Sequence, residues 1–271
     1  MLRKLIKYDL KSMNRILIII HVFLLLAAAA VRVFFTERFH LVHVESGAYL
    51  ALAFILFSLL ASGVSFATEI LIAIRFYKNL FSYEGYLTHT LPATRSQHLA
   101  AKTIAGTFWM FLDQILLLVS IFFVIATSDV VKLYHESQDV LLAELQLSGL
   151  DLSAVKIILF LLLFSLINAA ATVIMIYASI VIGQRFQSHP ILGAVISYLG
   201  ISMIFAVISA AILTAFGLFS VVFNESEAMA GANAADHVIS TFNITMILSI
   251  TAAAICYIVT QVLLKKKLDL A

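Results

Sequence analysis

The chain has 271 residues, of which 63% are hydrophobic and 12% charged, with a formal net charge of +2. Soluble domains run near ~45–50% apolar and ~25% charged. This composition therefore excludes an ordinary soluble enzyme or binding domain, and so slight a positive balance gives no argument for nucleic acid.

Six apolar stretches set the architecture: Ile16–Phe35, Tyr49–Ile74, Ala100–Thr127, Ala154–Ile182, Ile191–Phe219 and Thr241–Leu264. Each reaches the ~20 residues a helix needs to cross a hydrocarbon core ~30 Å thick. Lipid offers no water to satisfy free N–H and C=O groups, so such runs are helices or strands of a closed barrel. Barrel strands show alternating polarity over segments of about 10 residues, and these runs do not alternate. The expected fold class is an all-α membrane protein of six transmembrane helices, in a single domain over residues 1–271.

Ahead of the first span, Leu2, Leu5, Ile6, Leu10 and Met13 recur at three-to-four-residue spacing. Arg3, Lys4, Lys7, Lys11 and Arg15 fill much of the rest. This predicts a short basic amphipathic helix in the headgroup layer, which anchors the first span or braces a partner subunit. The first apolar run is too long for the core of a cleavable signal peptide, so it is expected to serve as its own insertion signal. Arg32, near the outer end of that span, is expected to snorkel outward. The following loop, Thr36–Ala48, holds His40 and His43 with Glu37 and Glu45 nearby. That set is too sparse to predict a metal site.

The second span carries Glu69 and the third carries Asp113. A carboxylate at the centre of a membrane helix costs ~2.5–3.5 kcal/mol, so such groups face a cavity or a partner. Three readings stand: a proton or ion relay, a polar substrate path, or a carboxyl hydrogen-bonded to Thr, Ser, Gln114 or backbone. The two helices are expected to be neighbours.

Between them, Arg75–Lys102 interleaves Phe76, Tyr77, Phe81, Tyr83 and Tyr86 with polar residues. Pro92 cannot continue a helix interior, and Thr94 or Ser96 is placed to cap the next helix. The expected layout is a helix end at Phe81, a short surface helix over Tyr83–Thr90, a turn at Pro92 and a new helix. Such a knob either seats in the interface or docks a soluble partner, because aromatics and Arg dominate binding hot spots.

Farther along, Ser128–Ser153 mixes apolar residues with acids, which predicts an amphipathic helix on the outer face. Gln114 and Asn168 are candidates for polar bonds between helices. Ser220–Ser240 is small and acidic and is expected to dip partway into the membrane. Cys256, the single cysteine, excludes an intrachain disulfide and is expected to pack as a small apolar group.

Most of the 17 basic residues fall on one side of the spans, in the N-terminal segment, Arg75–Lys102, Arg185 and Lys265–Lys267. Acids gather on the other side. Lys/Arg excess in short loops marks the cytoplasm, so both termini are expected there. The sequence contains no GxxxxGK[ST] loop, no GxSxG elbow and no HExxH pair. Hence neither an enzyme nor a cofactor is expected.

The opening MLRKLIKYDLKSMNRI and the loop FYKNLFSYEGYLTHTLPATRSQHLAAK resemble bacterial permeases of the type 2 ATP-binding-cassette (ABC) transporter superfamily, those of Firmicutes above all. The resemblance extends over the whole chain in span count, orientation and length, and is motif-level over Met1–Ile16 and Arg75–Lys102. It implies that the six spans form half of an export pathway in the bacterial cytoplasmic membrane. A second permease copy, identical or related, would pair with it in the bilayer, and two separate ATPase subunits would dock from the cytoplasm. The resemblance makes Tyr83–Thr90 the coupling helix that receives the ATPase motion, with Tyr83, Glu84, Gly85, Tyr86 and His89 as contact residues. It makes the N-terminal helix an interfacial connecting helix, and Ser220–Ser240 the external segment before the last span. Two alternatives are an ion-coupled secondary transporter using Glu69 and Asp113, and a non-transporting membrane partner or sensor. Against the carrier, no three-plus-three repeat is evident, and both prolines lie in loops.

Overall fold

Neither Gly nor Pro, the two strong helix breakers, occurs between Leu2 and Phe39. In the computed structural model this stretch is accordingly one helix. The structure describes residues 1–39, 46–82, 85, 90, 92–126, 131–132, 154–186, 188–218 and 234–266. Six helices account for most of them: α1 (Leu2–Phe39), α2 (Ser46–Phe81), α3 (Arg95–Ile125), α4 (Ala154–Gly183), α5 (Pro190–Ala215) and α6 (Ala234–Lys266). All six are long and apolar enough to cross a membrane, and no strand occurs among the described residues. The fold is all-α, as the apolar runs predict.

The N-terminal amphipathic segment is helical but does not turn aside to form its own element. It continues the first span as a rod of 38 residues, about 57 Å long at 1.5 Å per residue. Much of its apolar side faces protein instead of lipid. Met13 and Leu17 are buried in the main core with Phe76, Leu80, Leu99, Trp109, Tyr177 and Leu264. The side chains of Arg3, Lys4, Lys7, Lys11 and Arg15 remain exposed.

Helix α2 also outruns its apolar stretch and ends at Phe81, as expected. Phe76 is the reason the extra turns hold: its ring stacks on Tyr177 of α4 with centroids 3.8 Å apart. Thr94, rather than Ser96, caps α3. The Gln97 N–H donates to Thr94 Oγ1, and the Thr94 N–H donates to Gln97 Oε1 at 3.1 Å, a reciprocal capping box. Pro190 lies in the first turn of α5, where its missing N–H is no loss, and not in the preceding loop. Helix α6 begins at Ala234, two turns before its apolar run.

Helix α3 packs chiefly against α1 and next against α4; α4 in turn carries α5 and α6. The α2–α3 contact expected from their short connection exists but is minor, because α1 is the main neighbour of both. Gly183 closes α4 at a near-touching approach: a Cβ there would lie 2.4 Å from the Ala194 backbone N and 2.6 Å from its Cα. Beyond that point α5 buries only Gly193. Leu192, Ile196, Leu199, Met203 and Ile204 stay exposed around it, a surface suited to hydrocarbon.

Candidate functional site

Two apolar cores stack along the bundle, and polar groups sit between them. The first contains Leu17, Ile72 and Met110; the second contains Leu24, Val64 and Val124. Between these positions α1 places His21, α2 places Ser65 and Thr68, and α3 places Asp113. Asp113 and Thr68 are fully buried and His21 nearly so.

Asp113 collects bonds from two other helices. Oδ1 lies 2.9 Å from His21 Nε2 and 3.0 Å from Thr68 Oγ1. Oδ2 accepts from Ser65 Oγ. The other ring nitrogen, His21 Nδ1, lies 2.7 Å from the carbonyl of Leu17 one turn back. Each polar atom of the imidazole and the carboxyl thus has a partner, which is the condition for keeping such groups in an apolar bundle.

The sequence flags Asp113 but not His21. A lone histidine in an apolar run carries no motif, and its partner is 92 residues away. The one available signal is the cost of a polar ring at that depth. Gln114 does not serve Asp113; it points to α4 and accepts from Ser165 Oγ at 2.7 Å. Glu69 follows Thr68 but is half-buried, and it faces the hydroxyl of Tyr198 on α5. The two flagged carboxyls are therefore near one another but differently placed: Asp113 is bonded inward to α1 and α2, and Glu69 faces α5.

Other polar residues serve packing. Asn168 donates to Phe164 O at 2.9 Å and accepts from Ser249 Oγ at 3.0 Å, joining α4 to α6. Arg32 reaches the C-terminal end of α3. Its guanidinium lies over the Phe123 ring, 4.8 Å from the centroid, and donates to the carbonyls of Phe123 and Ala126. The C-terminal end of α3 carries carbonyls without helical partners and partial negative charge, which attract the cation. Cys256 is buried with a free thiol, as expected.

The end of the bundle that carries both α1's start and α6's finish is cross-tied. Lys102 of α3, with its side chain only 7% exposed, pairs with Asp9 of α1 at 3.0 Å. Arg75 of α2 donates to Ser12 O at 3.0 Å, and Tyr177 of α4 donates to Lys102 O at 3.1 Å. Arg95, at the start of α3, donates to Leu264 O of α6 at 2.7 Å. Arg95→Ala is expected to cost about 1 kcal/mol, a charge-assisted bond to a helix C-terminus, read as easier α6 proteolysis and a lower unfolding midpoint.

These ties bracket the segment that the sequence offers as a docking knob. Within it, the Gly85 N–H donates to Ser82 O at 2.7 Å, and a Cβ on Gly85 would lie 2.7 Å from Leu80 O. Glycine there lets the chain fold back on the end of α2. Tyr83, Glu84, Tyr86 and His89 lie outside the described residues, as do His40, His43 and most of Ser128–Ser153 and Ser220–Ser240. Among the described residues no three His, Cys, Asp or Glu side chains converge as metal ligands. Comparison with protein-family models, with curated proteins and with solved structures finds no match.

Proposed function

We propose that this chain is the membrane-spanning permease subunit of an ATP-driven ABC exporter. In this reading it works as a pair of identical or related permeases in a bacterial cytoplasmic membrane and is driven by separate ATPase subunits. The observation that carries the reading is the cross-tied end of the bundle. The segment between Phe81 and Arg95 is anchored at both ends to helices that are bonded to α1, α4 and α6. A push on that segment is felt by five helices at once. The sequence contains no phosphate-binding loop of its own, so a cycle driven there needs an outside energy source. Binding at the knob biases the bundle only through different contacts in its two states.

The test is co-purification with an ATPase and reconstitution of the complex. The double substitution Glu84→Ala/His89→Ala is expected to cut ATP-driven transport about tenfold or more, since hot-spot contacts are worth ~2 kcal/mol or above. ATP hydrolysis should continue in that variant. Transport that survives ATP depletion and collapses with an ionophore would instead establish the ion-coupled carrier. That second reading is favoured by the buried carboxyl of Asp113 and its histidine partner.

A further inference from the structure

The bonds of His21 fix how many protons its site holds. A carbonyl oxygen only accepts, so the 2.7 Å approach to Leu17 O requires a hydrogen on Nδ1. Nε2 lies 2.9 Å from Asp113 Oδ1, and two bare lone pairs at that separation repel. One more proton therefore sits between ring and carboxyl. On Nε2 it makes an imidazolium beside a carboxylate; on Oδ1 it makes a neutral imidazole beside a neutral acid. The pair has no net charge in either arrangement. Removing the proton leaves an anion, and adding another leaves a cation, in a site where Asp113 and Thr68 are fully buried. Charge without a partner is costly there.

We infer that His21 and Asp113 form a proton-binding site at the junction of α1, α2 and α3, which holds one proton while the three helices are packed and releases it to water when α1 separates from the other two. The inference goes beyond the export reading and does not depend on it. Its consequence is a proton-linked equilibrium. In water the separated imidazole and carboxyl have their ordinary values of ~6.5 and ~3.9. At pH 7 they keep only about a quarter of a proton between them, so separation releases roughly three-quarters of one. The packed state binds more protons, hence rising pH favours the separated state. The dependence approaches tenfold per pH unit above about pH 7.5 and fades below about pH 6, where both states hold the proton. The other titratable groups facing this junction are Glu69 on α2 and, through it, Tyr198 on α5. On α1 and α3 the nearest are His21 and Asp113 themselves.

The experiment uses the full-length protein in nanodiscs with nitrogen-15 histidine. The His21 imidazole, assigned by its loss in His21→Gln, should show a hydrogen on Nδ1 and no shift change between about pH 6 and 8.5, a range across which a free imidazole titrates. A spectrum in which every imidazole titrates would overturn the proposal without any variant. As a second readout, the unfolding equilibrium in mixed micelles should weaken with rising pH above neutrality in the native chain and in Glu69→Gln. That slope should vanish above about pH 7.5 in Asp113→Asn, where His21 is a neutral imidazole in both states. An equal slope in the native chain and in Asp113→Asn would also overturn it.

Discussion

His21→Leu is expected to destabilise the bundle by about 3–5 kcal/mol, the range for removing one partner of a buried ion pair. The substitution leaves Asp113, fully buried, without the ring that supplies its Oδ1 with a proton. Ser65 and Thr68 remain, but a hydroxyl donates without neutralising charge. The double variant His21→Leu/Asp113→Leu should recover most of the loss, because two apolar groups of similar size replace the pair between two apolar cores. Reversible unfolding of the four-member cycle in mixed micelles measures the coupling. A double variant as unstable as the sum of the singles would show that the two groups act independently.

Gly183→Leu is expected to cost roughly 3 kcal/mol, the upper end of the range for overpacking. The atoms its Cβ meets, Ala194 N at 2.4 Å and Cα at 2.6 Å, are backbone and cannot rotate away. The start of α5 must move, and with it the turn closed by the His189 N–H donating to Phe186 O at 3.2 Å. Gly106→Ala is the informative contrast. Its Cβ would meet side-chain atoms, Tyr177 Oη at 2.8 Å and Val173 Cγ1 at 2.9 Å. These can shift by rotation, though Tyr177 then gives up its bond to Lys102 O. The expected loss is about 1–2 kcal/mol, smaller than at Gly183. Unfolding midpoints of both variants test the order, and a larger loss at Gly106 would contradict it.

Hydropathy made the six helices legible because each apolar run is long enough for hydrocarbon to demand a helix. It misplaced their ends where side chains outside the runs still pack. The Phe76–Tyr177 stack and the Met13 contact with the core lengthen α2 and α1 by interactions no local pattern encodes. The site was half legible. Asp113 stands out as a charge at depth, and the hydroxyls of Ser65 and Thr68 belong to the class of partner expected. His21 was hidden because pairing depends on which helices touch, and the loop connecting α2 to α3 pointed to those two as neighbours while α1 is what α3 mainly packs against. The Arg32 partners were hidden for the same reason: position along a span says how far a side chain reaches, not that a neighbouring helix ends within that reach.

The three helices that share the polar junction are the first three made, and Asp113 lies 92 positions after His21 with nothing beyond α3 required to satisfy either. A ribosome that has released only this much of the chain has already delivered every group the junction needs. The groups most hostile to lipid therefore wait for one another only as long as it takes to translate α2 and α3. Arg95 waits longer, because its acceptor, the Leu264 carbonyl, emerges 169 residues later. Assembly in the membrane should accordingly begin at the His21–Asp113 junction and finish at the cross-tied end, with arrested nascent chains already resistant to labelling of a cysteine placed at the buried α1 position Ala28 before α4 appears.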